Sequence, residues 1–215
     1  MRTRTPHQLI RATLASLLAL CSAHTQAASP QAPFDYYLLS LSWSPTYCLT
    51  HAQDQNQCGK GYGFVLHGLW PQYQRGGYPQ NCPTSDQLTR EAIAYGVSLF
   101  PSPNLIRHEW DKHGTCSGMS ALGYFKTADK ALASIQAPQA MQAPVKPLFM
   151  PAKAIAAAFR QANPTLPVNS VVVNCSGPEL AEVRVCLNKA LSPTACGRAV
   201  SSNCRPGNIR IPSVR

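Results

Sequence analysis

The chain has 215 residues, 45% of them apolar, with 19 basic against 9 acidic side chains and a formal net charge of +10. That length permits one domain with a core that needs no help to form, and its longest leading apolar run, residues 12–21, is too short for a bilayer span of roughly 20 residues. The positive balance favours a polyanionic partner through steering and counterion release, although the charges are scattered rather than arranged in a run.

In chain order, Arg2, Arg4 and Arg11 precede the apolar run, and small and polar residues follow to Ala28. This is the order of a secretory signal peptide, so residues 1–27 are expected to be cleaved and 28–215 to form a single domain starting at Ala28 or Ser29. A lipid-anchored start at Cys21 is the alternative, but bulky Leu20 before it fits such cleavage poorly. Removing the three arginines leaves 16 basic against 9 acidic side chains, a net charge of +7. Residues 34–44 are aromatic-rich and partly alternating, which predicts a strand. Residues 62–67 read as a second strand, ended by Gly68 and Pro71, and 71–83 as a loop with paired Gly76 and Gly77. A helix is expected over 85–100, capped by Ser85, with further helices over 105–114 and 121–135. Proline and alanine break 138–151 into loop, then 152–162 is helical until Asn163-Pro164 stops it. Residues 168–173 and 182–187 are strands. No repeat is present. Helices clustered between terminal strands predict an α+β fold with helices packed on an antiparallel sheet.

Eight cysteines follow the leader: Cys48, Cys58, Cys82, Cys116, Cys175, Cys186, Cys196 and Cys204. An even number behind an export signal reads as four disulfides in an oxidising compartment, with 105 pairings open to sequence alone. Structural zinc is the competing reading, and the absence of any Cys-x-x-Cys spacing argues against it.

Reactive side chains concentrate in two segments, His67-Gly68-Leu69-Trp70-Pro71 and His108-Glu109-Trp110-Asp111-Lys112-His113-Gly114-Thr115-Cys116. At about 100° per residue a helix places His108, Glu109, Lys112 and His113 within an arc of roughly 140°, with Trp110 packing inward and Gly114 ending the helix. A zinc protease is one rival, because His-Glu begins His-Glu-x-x-His. Here the histidines are five apart and diverge, and Lys112 would repel a cation. A solvated helix face with a hydrogen-bonded histidine is the other rival, for His67 as well. Four polar groups on one arc beside a second histidine motif weaken it. RNA carries its own nucleophile, the 2′-OH beside each phosphodiester. Its cleavage needs two proton transfers near neutrality, which two histidines supply. A lysine and a third histidine can hold the phosphate, and an aromatic such as Trp70 can stack on a base.

The two segments in this order closely resemble the paired active-site signatures of the T2 ribonucleases. Leu39 to Cys48 and the Glu182-Val183-Arg184-Val185-Cys186-Leu187 segment extend the resemblance over nearly the whole mature chain. The resemblance implies an α+β, ribonuclease T2-like fold and an acid endoribonuclease acting on single-stranded RNA without metal or cofactor. Its products would be 2′,3′-cyclic phosphates and then 3′-phosphates, with little base specificity. It implies His67 as general acid, His113 as general base, Glu109 and Lys112 as stabilisers of the transition state, and His108 as a phosphate ligand. Trp70 matches a base-stacking tryptophan and Tyr78 a second aromatic wall. Gln72 and Ser42 depart from residues that some members use at the base sites, so no base preference is predicted. The resemblance also implies the pairs Cys48–Cys58, Cys82–Cys116, Cys175–Cys204 and Cys186–Cys196. Cys82–Cys116 is sensible in itself, since it ties the loop after His67 to the end of the catalytic helix. Some chains of this fold have lost catalysis and serve as binding or storage proteins, but this one retains both histidines. The expected protein is an exported monomer, periplasmic or secreted, with RNA as its substrate and no stable membrane insertion once the leader is removed.

Overall fold

A computed structural model describes residues 34–214, so the expected leader and its cleavage point lie outside the described residues. The elements are β1 (Tyr36–Trp43), α1 (Ser44–Thr50), β2 (Phe64–Gln72), α2 (Arg90–Leu99), α3 (Pro103–Lys112), α4 (Ala121–Ala133), β3 (Leu148–Pro151), α5 (Ala152–Ala162), β4 (Val171–Ser176), β5 (Glu179–Leu187) and β6 (Asn208–Ile211). One sheet runs β2-β1-β5-β6-β3, with β4 also paired to β5. Its pairings are antiparallel except for a short parallel contact of β5 with β6 at Glu179 and Arg210. The fold is α+β as expected, and the parallel contact is a departure from a purely antiparallel sheet.

Alternation along β1 separates the two faces of the sheet. Tyr37, Leu39, Leu41 and Trp43 turn to a core shared with Val183, Val185, Tyr124, Phe125 and Phe159. Burial of such large apolar side chains is the main favourable term in folding. On the opposite face Tyr36 and Leu38 form a smaller cluster with Cys186 and Trp70, and this face carries the polar residues of the site.

β2 does not end at Gly68 or Pro71. It continues to Gln72 because a bulge absorbs the break in its alternation: Leu41 pairs with Leu66 and Ser40 with Gly68, so His67 has no partner on β1. The extra residue leaves Leu66 and Leu69 both facing the core, and turns His67 and Gly68 out together on the opposite face. Pro71 is tolerated because β2 is the end strand of the sheet, where a missing N–H can face away from the ladder.

Other boundaries shift for local reasons. α2 begins at Arg90, capped not by Ser85 but by Thr89, whose side chain accepts from the Ala92 N–H at 3.1 Å. α3 starts with Pro103 at its first turn behind the Ser102 cap, a position where proline loses no hydrogen bond. It ends at Lys112 with His113 as C-cap (φ −119°, ψ −46°). Gly114 does not terminate it through a left-handed turn. Gly114 opens a short 3₁₀ turn instead, and a Cβ there would lie 2.5 Å from the Trp110 ring and 2.8 Å from Tyr124. Close packing is what requires glycine. Within the expected loop at 138–151, residues Leu148–Pro151 form β3 against β6.

The described cysteines form four disulfides: Cys48–Cys58, Cys82–Cys116, Cys175–Cys204 and Cys186–Cys196. These are the pairs that the resemblance implies.

Candidate active site

Three elements converge on one cleft of about 530 Å³. β2 contributes His67 and Trp70 from beside the bulge, and α3 with its C-cap contributes His108, Glu109, Lys112 and His113. Arg184 enters from β5, and the loop after β2 brings Tyr78 to the rim. All seven catalytic and substrate-binding residues expected from the sequence therefore line the same cleft.

Glu109 is at its centre and is fully buried. Its Oε2 accepts the Trp70 indole N–H at 2.8 Å, while Oε1 has no hydrogen-bond partner and lies 3.9 Å from His67 Nε2. Burial pushes this carboxyl up to about 7, against the pull of His67, the Trp70 N–H and Lys112. A carboxyl at that value carries its proton for much of the time near neutrality and can donate it to an oxyanion.

His113 is also buried, and its Nδ1 has no hydrogen-bond partner. Burial, then the charges of Lys112, His108 and His67, lower it to about 3, so the imidazole is held neutral. It stacks on Trp70 at 5.2 Å between centroids, with Tyr78 5.8 Å away on a tilted plane. His67 is influenced in the opposite sense. Burial alone would lower it, but the hydrogen bond to Glu182, the charge of Glu182 and the charge of Glu109 outweigh that, and the net direction is upward. Desolvation and Lys112 lower exposed His108.

The helical projection fails at one point. His108 and His113 were expected to diverge, yet the donor atoms of His108, Glu109 and His113 all lie within 4.8 Å of one another. As C-cap, His113 has left helical geometry, so an arc extrapolated at 100° per residue no longer locates its ring. These three are the described residues whose geometry could hold a cation, and what opposes one there is the positive charge of Lys112 rather than distance.

Glu182 and Arg184 were read only as part of a strand, although both belong to the site. His67 Nδ1 lies 2.5 Å from Glu182 Oε1. Arg184 grips Oε2 of Glu182 and sets its guanidinium 5.2 Å from the Trp70 ring centre. The available signal was period two: Glu182 and Arg184 alternate with core-facing Val183 and Val185, opposite Ser42 and Ser40 of β1.

Comparison with known proteins finds a matching family, curated relatives and solved structures of like fold. Residues 34–196 match the ribonuclease T2 family. A ribonuclease of Aeromonas hydrophila is 49% identical over 107 residues, covering 50% of this chain and 49% of that one, so the chain spans about half the length of this curated relative. Ribonuclease DdI of Dictyostelium discoideum is 27% identical over 232 residues, covering 96% of this chain and 99% of that one. The solved structure of an RNase-related protein from Calystegia sepium has a TM-score of 0.69 at 22% identity, covering 85% of this chain and 98% of that one, a likeness of fold.

Proposed function

Because the chain belongs to the ribonuclease T2 family, we propose that it is an endoribonuclease that cleaves single-stranded RNA by transphosphorylation without a metal. The observation that carries the reading is the pairing of His67 and His113 in one cleft, with Glu109 within 3.9 Å of the first and within 4.8 Å of the second. Their surroundings support one division of roles. His67, favoured in its charged form, is the acid, and His113, held neutral, is the base. Environments that push two titratable groups apart separate donor from acceptor.

His113 takes the proton of the 2′-OH, and the 2′-oxygen attacks phosphorus. The bond to the 5′-oxygen breaks as His67 protonates it, leaving a 2′,3′-cyclic phosphate and a 5′-hydroxyl. Water then opens the ring to a 3′-phosphate with the two roles exchanged. Lys112 and His108 hold the phosphate oxygens, and protonated Glu109 donates to the charge that builds on them. Tyr78, 44% exposed, and half-buried Trp70 offer ring faces to a base, and stacking of that kind is tolerant of base identity. Little base specificity follows.

Export belongs to the same proposal. Residues 1–27 act as a cleaved leader and 28–215 as one domain, a monomer released to the periplasm or beyond. Four disulfides suit an oxidising compartment, and among the described residues no helix is long and apolar enough to cross a membrane. Intact-mass measurement of exported protein should show loss of the first 27 or 28 residues. A retained Met1 would count against it. The activity is tested by digesting a set of homopolymer RNAs with and without EDTA and weighing the products. Cyclic phosphates from every homopolymer, unchanged by EDTA, are expected. Loss of activity in EDTA, or 5′-phosphate products, would overturn the mechanism.

A further inference from the structure

We propose that Glu182 is a positioning residue for the acid imidazole: clamped by Arg184 and Ser42, its carboxylate holds His67 by Nδ1 and leaves Nε2 as the nitrogen that exchanges protons with substrate. The inference rests on the reading of His67 as the proton donor.

The carboxylate is itself immobilised. Ser42 Oγ donates to Oε1 at 3.3 Å from the opposing position on β1. Arg184 donates to Oε2 through Nε at 2.8 Å, with Nη2 at 2.7 Å. The Glu182 side chain is only 12% exposed. Burial would raise its carboxyl, but His67 and Arg184 together bring it down to about 2, so it is ionised throughout the working range. An ionised carboxylate has no proton to give. In the 2.5 Å contact the hydrogen therefore belongs to His67 Nδ1, and neutral His67 is the Nδ1–H tautomer. Nε2 is then the site that gains and loses the proton, on the side of the ring that looks toward Glu109.

Such a hold is needed where His67 stands. It is the unpaired residue of a bulge, its side chain is 32% exposed, and its ring packs edge to face on Trp70 at 4.9 Å, a contact that does not select between the two ring nitrogens. A hydrogen bond to the other ring nitrogen is what fixes tautomer and orientation in a working histidine. The other titratable or charged groups that share its cleft are Glu109, His108, Lys112 and His113 from α3 and its cap, Arg184 from β5, and Tyr36, Tyr73 and Tyr78, with Tyr47 and Asp54 on the α1 side. Glu109 favours the charged imidazole and Arg184 opposes it. Arg184 thus steadies Glu182 while tempering its effect, and its guanidinium over Trp70 joins the clamp to the indole that holds Glu109.

A purely structural role would make Glu182 a brace, tied to Arg184 along β5 and to Ser42 across to β1, and the two roles separate in one experiment. On the full exported protein, ¹⁵N NMR follows the His67 ring through a pH titration in the wild type and in Glu182→Gln. Steady-state cleavage of a dinucleotide is measured against pH for both, for His67→Phe and for the double variant. The wild type should show Nδ1 protonated throughout and Nε2 titrating. Glu182→Gln should mix tautomers and move the descending limb of the rate profile to lower pH by about one unit or more. Its kcat should fall about tenfold or more, with KM within about twofold because phosphate and base contacts are untouched. The double variant should be no slower than His67→Phe alone. A wild-type ring protonated on Nε2 when neutral, an unmoved limb in Glu182→Gln, or added losses in the double variant would overturn the proposal. Near-normal cleavage by His67→Phe would instead refute the reading of His67 as acid, and the NMR titration would still report whether Glu182 holds the ring.

Discussion

Gly68 and Glu109 press against each other: a Cβ built on Gly68 would collide with the Glu109 carboxylate and with the Trp70 indole nitrogen that binds it. Backbone approach, rather than left-handed conformation, is what requires glycine here. Gly68→Ala should displace the buried carboxyl and the indole together. We expect cleavage to fall about 100-fold and stability by about 1–3 kcal/mol, with native far-UV circular dichroism retained. Wild-type cleavage by the alanine variant would show that neither group depends on this approach.

Removing either imidazole, as His67→Phe or His113→Phe, should cost roughly 10²–10⁴ in rate, the usual worth of a positioned proton transfer. The double variant should lose far less than the product of the two, because the pair acts as one unit. RNA affinity, carried by Lys112, the scattered basic charge and stacking, should change little. Gel-based cleavage rates and binding isotherms at fixed salt distinguish the two effects. Multiplicative losses would mean that the histidines work independently.

Glu109 should weaken the fold while it serves the reaction. Its carboxyl is raised to about 7 from an ordinary value of 4.5, so the folded protein holds this proton more tightly than the unfolded chain. Its contribution to stability is therefore largest below about pH 4.5 and is lost as pH rises through 7. Glu109→Gln can still accept from Trp70 and carries no charge. It should be nearly inactive, yet more stable than wild type at pH 8 by on the order of 2 kcal/mol. The gain should vanish near pH 4. Thermal melts of both proteins across this range supply the check, and a variant less stable at pH 8 would contradict the assignment.

The Cys82–Cys116 bridge joins the loop after His67 to the turn after His113 across 34 residues. Closing a loop of that size is worth about 3–4 kcal/mol when strain is small. Replacing both cysteines by alanine should lower the denaturation midpoint accordingly, and should cost activity at temperatures where the folded fraction is still high, because the bridge ties together the two segments that carry the imidazoles. Unchanged activity after this substitution would make the bridge a matter of stability alone.

What could be read from the chain differs from element to element for physical reasons. β1 was legible because every second residue goes to the core, and α5 because an alanine-rich run ends at Asn163-Pro164. The course of β2 was hidden by its bulge, which interrupts the alternation at His67 itself. α1 and β6 are short, with no periodicity to stand out. Ser85 and Thr89 are equally good caps in isolation, and only packing decides between them. The clustering of His67, Trp70, Glu109, Lys112 and His113 followed from two motifs, but the meeting of His108 with His113 depends on the cap geometry of one residue. Glu182 was visible as a residue of β5 and invisible as a neighbour of His67, because the contact spans 115 positions and arises from strand order alone.

That strand order also sets when the site can exist during synthesis. β5 lies beside β1 in the sheet but leaves the ribosome long after β2 and α3. A nascent chain of 150 residues already contains both imidazoles and Glu109, yet β1 has only one of its two neighbours and His67 has no carboxylate to hold it. Such a chain has the reactive side chains but lacks the strand that faces His67 from the other side, so the site closes only when β5 joins the sheet.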